Sequence, residues 1–171
     1  MKTGFERFFF WFKVAVVFAM AIIFCFLIVK KTGIGGVSYL TEFDEHDKYV
    51  QGFYPEGRVE QLEGMQKMNS EPIYLEVYEP KKFSTAKVQL RYKNSAKLAA
   101  KFGVKLKGGE WAFYLVDLAG ASADFVEQSF EFNLANTERR NNKIKFMLAS
   151  PAVNDSTEKI YIDKFSIGYV E

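Results

Sequence analysis

Residues 8–29 read FFFWFKVAVVFAMAIIFCFLIV, an apolar run broken by one charge, Lys13. As an α-helix rising about 1.5 Å per residue, the segment reaches ~33 Å, the thickness of a hydrocarbon core. It has no polar face at helical spacing, so it does not suit the surface of a soluble domain. Lys13 lies in the first turns, where its stem can carry the ammonium out to the headgroups. Trp11 and the phenylalanines beside it suit the same interface. The run is longer than the apolar stretch of a typical signal peptide, and Lys30-Lys31 follows at once, which favours an uncleaved anchor. Gly33-Ile34-Gly35 keeps cleavage open as the alternative. Cys25 follows the bulky Phe24, which does not fit lipoprotein processing. Lys2, Arg7 and Lys13 against Lys30 and Lys31 place the N-terminus in the cytoplasm and the remainder outside, in a single-pass cell-membrane protein.

Three regions follow: a cytoplasmic tip and membrane helix over 1–31, a juxtamembrane connector over 32–57, and a domain over 58–171. The connector opens with TGIGGVS and continues through an acidic stretch without clean periodicity. From Arg58 onward short alternating runs are separated by turn residues, which predicts an all-β antiparallel sandwich of about eight strands, jelly-roll-like. The strands are expected at 59–66, 73–79, 86–93, 102–107, 111–118, 130–134, 143–150 and 159–170. Pro72, Pro80 and Pro151 fall at strand ends, where a missing N–H does least harm. A single helical turn is expected in 135–142. About 115 residues suffice to bury a core.

Alternation assigns the inward face. It selects Ile73, Leu75 and Val77; Val88, Leu90 and Tyr92; Phe130, Phe132 and Leu134; and Ile144, Phe146 and Leu148. In the last strand Ile160 and Ile162 share one phase, while Phe165, Ile167 and Tyr169 share the other. One extra residue must break the period, so a β-bulge is expected at Asp163 or Lys164.

The run KVQLRYKNSAKLAAKFGVKLK, residues 87–107, holds cations and no acid. Lys87, Arg91 and Lys93 alternate with core positions, as do Lys101, Lys105 and Lys107. If both strands lie in one sheet, six cations share one outward surface. Such a surface would attract lipid headgroups, an envelope glycan, an acidic partner, or the chain's own Glu42, Asp44, Glu45 and Asp47. It is equally what an ordinary solvated sheet face looks like. Nucleic acid is not expected, because no base-stacking aromatic side chains are interleaved on the cationic face; Tyr92 alternates with the lysines toward the core.

The chain has one histidine, His46, and its sequence shows no nucleophile-base set, metal-binding histidine cluster or Gly-rich phosphate loop. Carboxylate pairs such as Glu110 with Asp117, or Glu60 with Glu63, carry no weight among so many acids. The chain reads as a non-enzyme. Trp111, Tyr114, Tyr74, Tyr78 and Tyr161 offer a different chemistry, flat platforms for sugar rings, with cross-strand packing as the competing reading. Trp111, just after Gly108-Gly109, is placed at a rim.

SFEFNLANTERRNNKIKFMLASP followed by KIYIDKFSIGYV resembles the end of jelly-roll domains of the galactose-binding and carbohydrate-binding-module type. The matching residues are Asn142, Lys143, Ile144, Lys145 and Phe146, then Ile162, Asp163, Phe165 and Ile167. The resemblance implies the sandwich fold. Some of these modules hold a structural calcium between an acid of the last strand and one of the first, which would make Asp163 and Glu60 ligands. No other cofactor is implied. The whole reads as a non-catalytic, membrane-anchored, extracytoplasmic module. It would engage an envelope glycan or anionic surface through Lys87, Arg91, Lys93, Lys101, Lys105, Lys107 and Trp111. The alternative is a structural accessory subunit of a larger membrane complex, with Ala15 and Ala19 at the spacing for close helix approach to a membrane-protein partner.

Overall fold

The computed structural model describes residues 4–32, 36–43, 47–95, 98–119 and 123–171. Two compact units make up the chain, Met1–Ile34 and Gly35–Glu171. The first is one helix, α1 (Gly4–Thr32). Its interior has neither proline nor glycine to interrupt it. Phe8–Ile28 has a mean hydropathy of 2.6 and none of it is buried, so this helix is long and apolar enough to cross a membrane.

The second unit is a β-sandwich of two antiparallel sheets. Its strands are β1 (Val37–Thr41), β2 (Val50–Tyr54), β3 (Val59–Leu62), β4 (Met65–Met68), β5 (Ile73–Tyr78), β6 (Thr85–Lys93), β7 (Lys101–Lys105), β8 (Phe113–Asp117), β9 (Val126–Asn133), β10 (Arg139–Arg140), β11 (Lys143–Ala149) and β12 (Ile160–Val170). The first sheet runs β3-β4-β12-β6-β9, with β1 also on β12. The second runs β2-β5-β11-β7-β8, with β10 on β11.

All the inward positions read from alternation are buried. At the centre Phe102 meets Phe146 in parallel stacking at 5.6 Å, Phe130 at 5.4 Å and Phe165 at 6.4 Å. Burying each such ring contributes roughly 1.5–3 kcal/mol. The expected bulge is present: the pairing of β12 with β6 shifts register between Ile162 and Lys164. The extra residue lets Ile162 and Phe165 both face inward, and both are fully buried.

Three segments differ from expectation. The connector expected over 32–57 holds β1 and β2, which pair with β12 and β5. Thr41, Phe43, Val50 and Phe53 are buried there, so hydrophobic closure of the sandwich recruits these residues despite their acidic neighbours. Asp44, Glu45 and His46 lie outside the described residues. The single strand expected over 59–66 is a hairpin, β3 and β4, turned at Glu63-Gly64 with Gly64 at φ 66°. The helical turn expected in 135–142 is instead β10 with a tight turn into β11. Asn141 and Asn142 both adopt positive φ, 53° and 56°, as a two-residue hairpin turn requires.

One buried ion pair ties several loops together. Glu79 is 3% exposed and accepts from Arg139 Nε at 2.5 Å and Nη2 at 3.1 Å. The same guanidinium donates to the carbonyls of Phe83 and Leu134, each at 3.0 Å. Glu79 also accepts the Phe83 N–H at 2.9 Å. The carboxylate and guanidinium thus have several partners each, as burial of a charge demands.

Candidate functional site

The sandwich divides the cationic run. Lys87, Arg91 and Lys93 stand on β6 in the first sheet, while Lys101 and Lys105 stand on β7 in the second. The chain crosses between sheets after Lys93. Asn94 secures the crossing, bonding both the N–H and the carbonyl of Leu98 at 3.0 and 2.8 Å. The single surface of six cations is therefore not formed.

Cross-strand acids supply what the run itself lacks. Arg91 pairs with Asp163 at 3.2 Å and lies in register with Glu127. Lys87 is in register with Glu131. Lys101 pairs with Asp117 at 3.4 Å. Lys105 is largely covered, donates to the Glu110 carbonyl at 2.8 Å, and sits 3.8 Å from Glu138. Lys93 is half-buried opposite Tyr161. Glu42, from the acidic flank, reaches Lys164 at 3.7 Å beside this ladder, while Asp47 caps its own turn through the Tyr49 N–H. Lys107 and Trp111 are exposed in the loop after β7.

Glu60 and Asp163 are not brought together. They sit on β3 and β12 with β4 between them, which separates their backbones by ~10 Å across the sheet. Glu60 holds Lys67 at 2.8 Å, which lowers its pKa through that hydrogen bond. Burial raises the pKa of Asp163, partly opposed by Arg91. Among the described residues no group of three or more His, Cys, Asp or Glu side chains could hold a metal ion.

Two outward surfaces remain. On the first sheet a groove of about 790 Å³ runs over β1, β12, β6 and β9. Its floor is short, with Ser38, Ser129, Ser166 and Gly168, and Leu40, Lys87, Glu131 and Lys164 stand around it. Ser166 and Gln89 are hydrogen-bonded across it at 3.1 Å.

On the second sheet the outward face is paved with rings. Tyr54 and Tyr74 are cross-strand partners with centroids 5.7 Å apart. Phe113 lies near-parallel to Tyr74 at 6.3 Å. Two strands, β11 and β7, separate Tyr74 from Phe113, a span of ~14 Å at the backbone. The rings meet because the intervening positions are low. Met147 is in register with both Tyr74 and Gly103, is only 7% exposed, and Gly103 has no side chain. A Cβ on Gly103 would fall 1.8 Å from the Tyr114 carbonyl oxygen, so β8 can approach only a glycine.

Polar groups stand around and over this pavement. The Tyr54 hydroxyl donates to Glu76 at 2.8 Å, and burial together with that carboxylate raises its pKa. Lys145 lies over the Tyr54 and Tyr74 rings at 5.6 and 5.4 Å and pairs with Glu76 at 3.4 Å. Lys105 lies over Phe113 at 5.6 Å. Of the aromatic residues singled out from sequence, Tyr74 is in the pavement. Tyr78 shares its face but packs with Tyr49 at 5.9 Å, and Tyr114 packs edge-on against Phe132 at 6.2 Å. Tyr161 lies on the first sheet. Tyr54 and Phe113 were not anticipated. The signal for Phe113 was the alternation of Phe113, Leu115 and Asp117 outward on an edge strand.

No family model and no curated protein matches the sequence. Solved structures do match the fold. The CBM35 from Cellvibrio japonicus Abf62 aligns at a TM-score of 0.50 and 15% identity, covering 77% of this chain and 92% of that one. The second N-terminal cellulose-binding domain of Cellulomonas fimi β-1,4-glucanase C aligns at 0.50 and 10% identity with the same coverages. The sandwich thus resembles these modules in its jelly-roll β-sandwich fold.

Proposed function

We propose that this protein is a membrane-anchored, non-catalytic glycan-binding module. Its sugar platform is the ring pavement Tyr54–Tyr74–Phe113. The observation that carries this reading is three contacting rings on the outward face of a sheet, bordered by the hydrogen-bonding groups of Glu76 and Lys145. An aromatic face offers a pyranose ring a flat apolar partner, and a few fixed polar groups set its orientation. The named neighbours of the same fold, a CBM35 and a cellulose-binding domain, support the class of ligand. The apolar helix holds the module at the cell membrane, and the charges flanking it favour the sandwich outside the cytoplasm, against an envelope glycan.

The test is binding of the detergent-solubilised full chain to a panel of neutral and acidic polysaccharides. Tyr74→Ala is expected to weaken binding about tenfold, the loss of ~1.4 kcal/mol of stacking. Arg91→Ala, on the other sheet, is expected to leave it unchanged. Loss with Arg91→Ala and none with Tyr74→Ala would move the site off the pavement.

A further inference from the structure

The two ends of the sandwich differ in charge. At one end, the loops 79–84, 106–112 and 134–142 are knit by Arg139 and by the backbone bonds Lys107 N–H to Asn136 and Leu134 N–H to Ser84. Lys82, Lys107 and Arg140 project from these loops, exposed and without a salt-bridge partner among the described residues. Trp111, at 68% exposure, stands with them. Of the acids nearby, Glu138 is engaged by Lys105 and Glu171 by Lys81, which leaves Glu110 and also Asp47, which stands next to the exposed Lys48. The loops of the opposite end carry Glu56, Glu71, Asp124, Asp155 and Glu158. Its Arg58 and Lys159 are turned onto backbone carbonyls, of Pro72, and of Asn69 and Val153.

β1 begins at the cationic end. Val37 is in register with Tyr169, Val170 with Thr85, and Thr85 with Asn133. The chain leaves five residue steps between Thr32, the last of α1, and Val37.

We infer that this end of the sandwich docks on an anionic lipid surface, with Trp111 in the headgroup layer and Lys82, Lys107 and Arg140 against lipid phosphates. The inference rests on the membrane-anchored reading above and adds a second contact to it. Three observations converge. The tether is short and leads to this end. Among the described residues the unpaired cations of the loops gather here, and more of the loop acids lie at the other end. The most exposed ring beside them is a tryptophan, a side chain suited to a membrane interface. Each basic residue near an anionic leaflet raises the docked-to-undocked ratio about fivefold, and the effect decays over a Debye length.

The experiment places the full chain in phosphatidylcholine vesicles with or without phosphatidylglycerol, mixed in roughly a 2:1 ratio. Trp11→Phe leaves Trp111 as the sole tryptophan. In the anionic vesicles Trp111 emission is expected to shift to the blue and to be quenched by headgroup-labelled lipid. The effect should shrink in pure phosphatidylcholine, at high salt, and about fivefold per site with Lys82→Gln, Lys107→Gln or Arg140→Gln. Trp111 emission that is solvent-like in both vesicles would overturn the docking. The companion Trp111→Phe chain reports on the span through Trp11. If neither headgroup nor acyl-chain labels quench Trp11, the anchor reading falls and the docking with it. If they quench Trp11 while Trp111 stays in water, the docking alone fails. Glycan binding through Tyr74 is indifferent to either outcome.

Discussion

On the outward face of the first sheet Arg91 meets Asp163 and Lys87 stands opposite Glu131, whereas on the second Tyr54, Tyr74 and Phe113 lie ring against ring. Both faces come from the same alternation of inward apolar and outward polar positions. They diverge because of what stands opposite each outward residue. On β6 the partners are acids of β9 and β12, so charge is neutralised locally and the surface is an ordinary solvated ladder. On β11 and β7 the partners are Met147 and Gly103, low enough for rings from β5 and β8 to close over them. A run of lysines along the chain therefore says little about a surface until its cross-strand neighbours are known.

The largest expected effect acts on both faces at once. Arg139→Met leaves the Glu79 carboxylate buried beside Phe83 without its cation, and should destabilise the domain by ~3–5 kcal/mol. Denaturant unfolding of the full chain in detergent measures this. Equal stability in the variant would mean that the Glu79–Arg139 pair contributes nothing to the fold.

A smaller change should separate the faces. Gly103→Ala places a Cβ against the Tyr114 carbonyl, and β8 must move away from β7. Overpacking of this kind costs roughly 1–3 kcal/mol. Because Phe113 rides on β8, the pavement should lose its third ring and glycan binding should fall, while the Arg91–Asp163 pair on the other sheet persists. Full binding in this variant would show that Phe113 is not part of the platform.

The smallest effect belongs to the charge ladder. Burial raises the Asp163 pKa in the folded chain above its unfolded value. Protonation then favours the folded state, so this group's contribution is present below the unfolded carboxyl pKa and is lost as pH rises through the folded one. Asp163→Asn should therefore stabilise at neutral pH, by less than ~1 kcal/mol given the partly exposed Arg91 partner, and make no difference in acid. Thermal unfolding at the two pH values checks it. Destabilisation at neutral pH would show that the pairing with Arg91 outweighs the cost of burial.

Much of this architecture is legible in the sequence, for identifiable reasons. Strict period-two alternation marks Ile73–Val77, Val88–Tyr92 and Ile144–Leu148 as inward. The phase change between Ile162 and Phe165 requires a bulge because both sides of it are apolar. β1 and β2 escape notice because turn residues and acids interrupt their apolar positions, and their burial depends on partners more than a hundred residues away for β1. Sheet membership is also invisible locally, since nothing in β6 or β7 states that the Asn94 crossing moves the chain to the opposite sheet. The pavement is half legible: Tyr74 alternates outward as expected. Tyr54 lies in the stretch taken for a connector, and the reach of Phe113 depends on a glycine in the neighbouring strand.

The most direct test is to map the face that meets sugar. Backbone amide shifts of the isotopically labelled full chain in detergent would be followed while a binding polysaccharide is added. The prediction is perturbation centred on Tyr54, Tyr74, Lys145 and Phe113, with Ser38, Gln89 and Ser166 unmoved. Shifts confined to the groove of the first sheet, with the pavement silent, would contradict the central claim.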